Sequence, residues 1–390
     1  MSGFPDVAVA GIGLTEQARR LEGRTTLEAC LEAARAALAD AGLTLDDVDG
    51  IAGRWPGPGG TVFHPGSLDW GSMLGLPLRW VSDTYPQGIP AALEAAAAIQ
   101  AGLCSTVLVL GGQAGELGGG SVASYTRPDN EFVATWGAFT AAQFALVAQR
   151  YLHTYGVEWE RIARVAVTIR NHGHDNPDAV MHGRGPYTLD DVMAAPRVAE
   201  PFGRLDLCLA NEGAAAMVLT STERARDLDR PDGRPVVRLV GGGCEWYRQQ
   251  YVQPARYEEV GMIGQDAVRR AYEASGLTAQ DLDVLQVYDV NSFEVVRQLE
   301  VLGFCGQGEG ADLLDDLDLS RDGDLPVNTD GGLMSFSHIG WGAPTLRIVE
   351  AVRQLRGEAG RRQVAGARTA MAGGAGSGAQ YYNVLLLARD

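Results

Sequence analysis

Four short stretches of this 390-residue chain carry side chains that can hold or move a proton, glycine-rich turns, or both. They are Asp83-Thr84-Tyr85-Pro86-Gln87-Gly88, Val287-Tyr288-Asp289-Val290-Asn291, Gly331-Gly332-Leu333-Met334-Ser335-Phe336-Ser337-His338 and Gly373-Gly374-Ala375-Gly376. A histidine, with an unperturbed pKa of about 6.5, transfers protons near neutrality. A tyrosine, near pKa 10, is a poor base unless its neighbours lower it, but a good hydrogen-bond donor. Glycine-rich turns let the backbone approach a ligand closely and can aim N–H groups at an oxyanion. Taken singly these signals are weak: a glycine pair is usually a turn, and a tyrosine ending a strand usually packs with its hydroxyl satisfied. Asp289 directly follows Tyr288, so on a strand the two face opposite ways and Asp289 is expected to support structure.

The elements that must position these loops alternate. Apolar strand patterns run over Val7–Gly13, Thr106–Leu110, Ala214–Leu219, Val236–Val240, Val284–Val287 and Tyr382–Leu387. Helical patterns cover 27–41, with Thr26 as expected cap, then 91–101, 138–155, 267–275 and 344–356. Strands this apolar suggest a sheet covered on both faces by helices, an α/β class. The chain also repeats itself. Gly42-Leu43-Thr44-Leu45-Asp46-Asp47-Val48-Asp49 returns as Gly276-Leu277-Thr278-Ala279-Gln280-Asp281-Leu282-Asp283, each copy between a helix-like stretch and a short apolar run. Duplication is the economical reading, with one half over 1–223 and another over 235–390. A linker is expected near 224–234, and a loop excursion at about 115–200, irregular over Asn171–Pro196.

Apolar content of 46% and charged content of 21% are ordinary for a soluble globular protein. No run reaches the roughly 18 apolar residues of a membrane span. A net charge of −17 opposes non-specific attraction to nucleic acid or anionic membrane. The opening residues lack a basic region before an apolar core, so a cytoplasmic location is expected. The five cysteines are scattered, with no CxxC and no zinc-type spacing. His172 and His174 have no evident third ligand, so no metal site is expected.

In order, the four loops resemble those of the thiolase superfamily, nearest the sterol-carrier-protein and lipid-transfer-protein branch. Further similar segments are Asn171-His172-Gly173-His174-Asp175-Asn176-Pro177, Glu200-Pro201 through Cys208 with Gly213–Ala216, Leu302–Gly306, and Val327–Gly332. The resemblance implies a thiolase-like fold of two related halves in αβαβα layers, and a homodimer. It makes Gly88, His172, Gly332, Gly373 and Gly374 substrate-binding positions. Three residues before Gly88, where a thiolase has its nucleophilic cysteine, stands Tyr85. The second thiolase cysteine is replaced by Ala370, the histidine of the GHP loop is kept as His338, and Tyr288 stands at the other catalytic loop.

This cysteine-less pattern is similar to that of the lipid-transfer-protein-type aldolases of bacterial steroid side-chain breakdown, which carry a tyrosine–aspartate pair like Tyr288-Asp289. Those enzymes split a β-hydroxyacyl-CoA by retro-aldol chemistry with a zinc-ribbon and OB-fold partner protein. At His338 that subgroup has a second tyrosine instead. The resemblance implies a lyase with Tyr288, His338 and Tyr85 as catalytic candidates and no cofactor beyond the CoA carried by the acyl-CoA substrate. Proton transfer falls to His338 or Tyr288, and enolate stabilisation to the other with backbone N–H groups near Gly374. The competing readings are an acyl-CoA-binding subunit that lost catalysis with its cysteines, and a condensing or acyl-transfer enzyme without an acyl-cysteine.

Overall fold

The computed structural model describes residues 6–53, 66–83, 88–115, 140–228, 233–246, 261–376 and 381–390, without the side chains of Leu68 and Trp341. Its strands are β1 (Val7–Leu14), β2 (Gly50–Gly53), β3 (Trp80–Val81), β4 (Thr106–Gln113), β5 (Arg197–Ala199), β6 (Phe202–Gly203), β7 (Gly213–Ser221), β8 (Val237–Trp246), β9 (Val284–Gln286), β10 (Thr369–Gly376) and β11 (Tyr381–Arg389). β5 and β6 form a small ribbon, and the other nine form one sheet in the order β3-β2-β4-β7-β1-β8-β11-β10-β9.

The order mirrors itself about the antiparallel pair β1/β8. Moving outward, each side meets an antiparallel strand (β7 or β11), a second antiparallel strand (β4 or β10) and then a parallel one (β2 or β9). The repeated octapeptides occupy matching places before β2 and β9. Gly42 and Gly276 end their helices in the left-handed conformation. Thr44 and Thr278 each donate backbone and hydroxyl hydrogen bonds to the aspartate three residues on, Asp47 or Asp281. The closing aspartates accept from the first residues of the neighbouring strand: Asp49 from Ser105 and Thr106, Asp283 from Arg368 and Thr369.

Strand alternation sorts the core into layers. Leu108 and Leu110 of β4 pack towards the Thr26–Ala41 helix, whereas Val107 and Val109 face the Ile89–Gln100 and Ala343–Arg356 helices. In the other half Leu385 and Leu387 of β11 face those same two helices, whereas Val384 and Leu386 face the Gln265–Ser275 and Ser292–Leu302 side. The two central helices touch strands of both halves, which gives the layers α, β, α, β, α. No described helix is long and apolar enough to cross a membrane.

Several expectations are corrected. Thr25, not Thr26, caps the first helix, in a reciprocal pair with Glu28, while the Thr26 hydroxyl bonds to Ala114. Residues 171–175 are not irregular: they end a helix, Trp159–Asp175. The helix expected over 138–155 is present as Thr140–Tyr155, and both helices pack on the second half, against residues such as Phe293 and Leu285. Ser292–Leu302 is a helix buried on every side, where Glu294 pairs with Arg297 and Glu300 accepts from the Tyr151 hydroxyl and Gly310 N–H. Gly373–Gly376 is not a loop but the end of β10, paired with β11.

Candidate active site

β9 stops at Gln286, and the chain then turns from the ladder. The backbone of Tyr288 is caught by a side chain instead. Gln298, fully buried on the Ser292–Leu302 helix, accepts from Tyr288 N–H (3.0 Å) and donates to Tyr288 C=O (2.9 Å). Asn291 caps that helix by accepting from Glu294 N–H at 2.8 Å. The carboxylate of Asp289 points elsewhere, receiving the N–H groups of Leu333 (2.8 Å) and Met334 (3.1 Å). Asp289 therefore ties the Tyr288 loop to the turn that leads into His338.

That turn, Gly332–Phe336, is held from several sides. Asp330 accepts from Gly332 N–H at 2.8 Å and forms a bidentate pair with the buried Arg347 at 3.1 and 3.0 Å. Gly332 has φ +59°, and a Cβ there would stand 2.1 Å from Asp289 Oδ2, so no other residue fits. His338 is fixed through its backbone: its N–H donates to Asn211 Oδ1 at 2.7 Å, and its carbonyl accepts from Asn211 N–H. Asn211 also donates to Ser337 Oγ at 2.6 Å.

These braces bring Tyr288 Oη within 3.2 Å of His338 Nε2, ring edge to face at 70°. Both side chains are half-buried. Burial, and secondarily the positive charge of Arg347, push the His338 imidazole down to about 4. It is neutral at working pH, with a nitrogen lone pair free to receive a proton. Burial pushes Asp289 up to about 6 against the pull of Arg347. Burial would also raise Asp330, but the charge and hydrogen bonds of Arg347 hold it below the usual carboxylate range.

The other expected residues divide. Gly88 precedes the Ile89–Gln100 helix at φ +86°, and a Cβ there would stand 2.6 Å from Pro344 Cβ and 2.8 Å from Thr345 N. It lets the starts of the two central helices meet. Gly373 and Gly374 lie just past the last β9 pairing: a Cβ on Gly373 would meet Gln298 Oε1 at 2.8 Å, whereas Gly374 faces Ile89 and Asn383. Gly332 has its N–H committed to Asp330. His172 has both ring nitrogens on the backbone. Its Nδ1 bonds Asn328 O at 3.1 Å and its Nε2 accepts from Arg321 N–H at 3.2 Å, which leaves neither nitrogen for substrate. Tyr85 lies outside the described residues. Gln298, Asn211 and Arg347 were missed because their partners are distant in sequence and leave no local pattern.

Residues 258–389 match the family described as thiolase C-terminal domain-like. The chain is 34% identical to the steroid side-chain-cleaving aldolase of Thermomonospora curvata, over 92% of each chain. It is also 34% identical to the 17-hydroxy-3-oxo-4-pregnene-20-carboxyl-CoA lyase of Mycobacterium tuberculosis, over 90% of this chain and 91% of that one. The chain belongs to the thiolase superfamily, in the branch of the steroid side-chain-cleaving aldolases. The solved structure of an Ltp2-ChsH2(DUF35) aldolase superposes with a TM-score of 0.84 at 30% identity, covering 99% of this chain and 98% of that one.

In this aldolase-branch chain, four of the cysteines are the opposite of activated thiols. Burial pushes Cys104 up to about 11 and Cys208, Cys244 and Cys305 up to about 12, so each stays a protonated thiol near neutrality.

Proposed function

We propose that the chain is a carbon–carbon lyase that cleaves a bulky β-hydroxyacyl-CoA, of steroid side-chain type, into a ketone and a shorter acyl-CoA. The observation that carries this reading is the Tyr288 Oη–His338 Nε2 pair, held at 3.2 Å with no poised thiol beside it among the described residues. Retro-aldol cleavage needs one proton taken from the β-hydroxyl and one returned to the α-carbon. As the proton leaves, the hydroxyl oxygen becomes the ketone carbonyl, and the electron pair of the broken C–C bond moves into the thioester as an enolate. Protonation of the α-carbon then releases the shorter acyl-CoA. Net proton uptake is zero, so one pair that accepts a proton and gives it back is sufficient. His338, kept neutral, can receive the proton directly or through the Tyr288 hydroxyl. The CoA is carried by the substrate, and no further cofactor enters.

The related aldolase and lyase named above support the substrate class. The related Ltp2-ChsH2(DUF35) aldolase is named for two components, which supports a second protein in the working unit of this chain. In our reading that second protein is a zinc-ribbon/OB-fold partner, and the chain pairs with itself as a homodimer in the cytoplasm. The experiment is to co-express the chain with such a partner, supply a 17-hydroxy steroid side-chain acyl-CoA, and follow ketone and shortened acyl-CoA by mass spectrometry. Stoichiometric appearance of both is expected. Tight acyl-CoA binding by the complex without cleavage would replace the lyase with an acyl-CoA-binding subunit.

A further inference from the structure

A buried polar side chain is nearly always hydrogen-bonded, because an amide removed from water without a partner loses free energy with no return. Asn383 departs from this at both ends. It is fully buried, and neither Oδ1 nor Nδ2 has a partner among the described residues. β11 sets it opposite Gly374 of β10 and Cys244 of β8. Leu385, two residues on, faces the central helices, so alternation turns Asn383 to the same face. A methyl group placed on Gly374 would stand 3.6 Å from both Asn383 Nδ2 and Ile89 Cδ1, so the carboxamide lies by the first turn of the Ile89–Gln100 helix.

Gly88 and Gly342 precede the two central helices, and glycine brings no side-chain oxygen to their first-turn N–H groups. Thr345, packed against Gly88, is buried, and its Oγ1 has no partner among the described residues. The contacts also lead back to the proposed reaction centre. Tyr288 touches His338, whose strand of chain runs on to Thr345. Thr345 meets Gly88, and the adjoining Ile89 meets Gly374. Next to Gly374, Gly373 abuts Gln298, which holds the Tyr288 backbone. The unpaired carboxamide therefore sits on the same circuit as the proton-transfer pair.

We propose that Asn383 is a substrate-binding residue of this site, donating a hydrogen bond from its carboxamide to the thioester carbonyl oxygen. This rests on the lyase reading for the fate of that oxygen: when the C–C electron pair moves into the thioester and the oxygen becomes an enolate, the hydrogen bond strengthens. No bond to Asn383 forms or breaks. The amide is neutral at every working pH, so it polarises the carbonyl without competing for the shuttled proton. With both ends unpaired, either orientation of the amide can present its NH2. Loss of one preorganised donor to such an oxygen costs about 10²- to 10³-fold in kcat.

The test uses Asn383→Leu and Asn383→Ala in the full-length chain. The first readout is the infrared band of an isotope-labelled thioester carbonyl in a bound acyl-CoA that lacks the β-hydroxyl and so cannot be cleaved. The band should move to lower frequency on binding to wild type and stay near its free position in both variants. The second is Tm without ligand, which Asn383→Leu should leave unchanged or raise, because leucine fills similar space without stranding an amide. If that variant fails to fold, Asn383→Ala carries the infrared test alone. A bound carbonyl band equal in wild type and variants overturns the proposal. So does a lowered Tm for Asn383→Leu with an unshifted wild-type band, since the amide is then held by an internal water. An Asn383-dependent shift without any turnover keeps this inference and removes the lyase. Turnover with an Asn383-independent shift does the reverse.

Discussion

His172 and His338 are both half-buried histidines whose pKa is lowered by burial, yet their surroundings separate them. His172 ends the Trp159–Asp175 helix with both nitrogens engaged by backbone, from Asn328 and Arg321. That pattern fixes its tautomer, with Nδ1 as donor and Nε2 as acceptor. His338 has its backbone fixed by Asn211 and its ring free to work: Nε2 faces a hydroxyl, and no described residue bonds Nδ1. The difference teaches that a histidine in a suggestive motif is assigned by what its nitrogens touch. A ring with both nitrogens on backbone carries load, and a ring braced from behind can move protons.

The widest gap should open when each ring is removed. His338→Ala should lower kcat by about 10²- to 10⁴-fold, the usual cost of losing a general acid–base group. Tyr288→Phe, which deletes one hydroxyl of the pair, should fall in the same range. Thermal denaturation should show both variants folded. Near-full activity in both would move the reaction centre elsewhere. His172→Ala should show the opposite profile: a stability loss of about 1–3 kcal/mol from two abandoned backbone groups, seen as a lower urea midpoint, with kcat of the folded fraction little changed. A kcat loss for His172→Ala as large as that for His338→Ala would erase the distinction.

The same contrast explains what could be read from the sequence. The repeated octapeptide was legible because each of its jobs is local. Gly42 and Gly276 end helices, and the Thr–Asp pairs close turns three residues long. Asp49 and Asp283 reach the next strand from equivalent places. His338 stands out because it closes a glycine-rich loop, and Tyr288 because its stretch resembles the other thiolase catalytic loop. Their braces did not. Gln298 on the Tyr288 backbone, Asn211 on His338, and Arg347 on Asp330 are long-range polar pairings. The Ser292–Leu302 helix was illegible for a related reason: its Glu294, Arg297 and Glu300 are buried, and the partners that make this tolerable, such as Tyr151 and the carbonyls of Gly261 and Ile263, lie elsewhere in the sequence. β10 was hidden by its glycines, which read as a turn until β11 pairs with them.

A smaller effect sharpens the claim that the pair, not a thiol, does the chemistry. Replacing the five cysteines by Ala or Ser, with the fold checked by circular dichroism, should leave turnover within about tenfold, because no thiol takes part in the proposed proton transfer. Loss of turnover traced to a single thiol in a folded variant would return the acyl-enzyme reading.

The smallest effect is a near-cancellation in pH dependence across the Tyr288–His338 and Asp289 region. His338 is pushed down from 6.5 to about 4, so between those values the unfolded chain binds the proton and the native one does not. Its contribution to stability is complete above 6.5 and is lost as pH falls towards 4. Asp289 is pushed up from 3.8 to about 6, so in that window the native chain binds the proton first, and stability gains as pH falls. The two slopes oppose each other, and single substitutions should expose them. In Asp289→Asn, urea midpoints relative to wild type should fall as pH drops from about 6 to 4, since only the His338 slope remains. In His338→Ala they should rise over the same range. Taking differences from wild type removes other groups, such as Asp206, which is also pushed up to about 6. The activity profile then separates the pair. If neutral His338 is the essential form, the acid limb of kcat lies near 4 and survives Asp289→Asn. A limb near 6 that Asp289→Asn abolishes would instead make the ionised carboxylate under the Leu333 and Met334 N–H groups the controlling group.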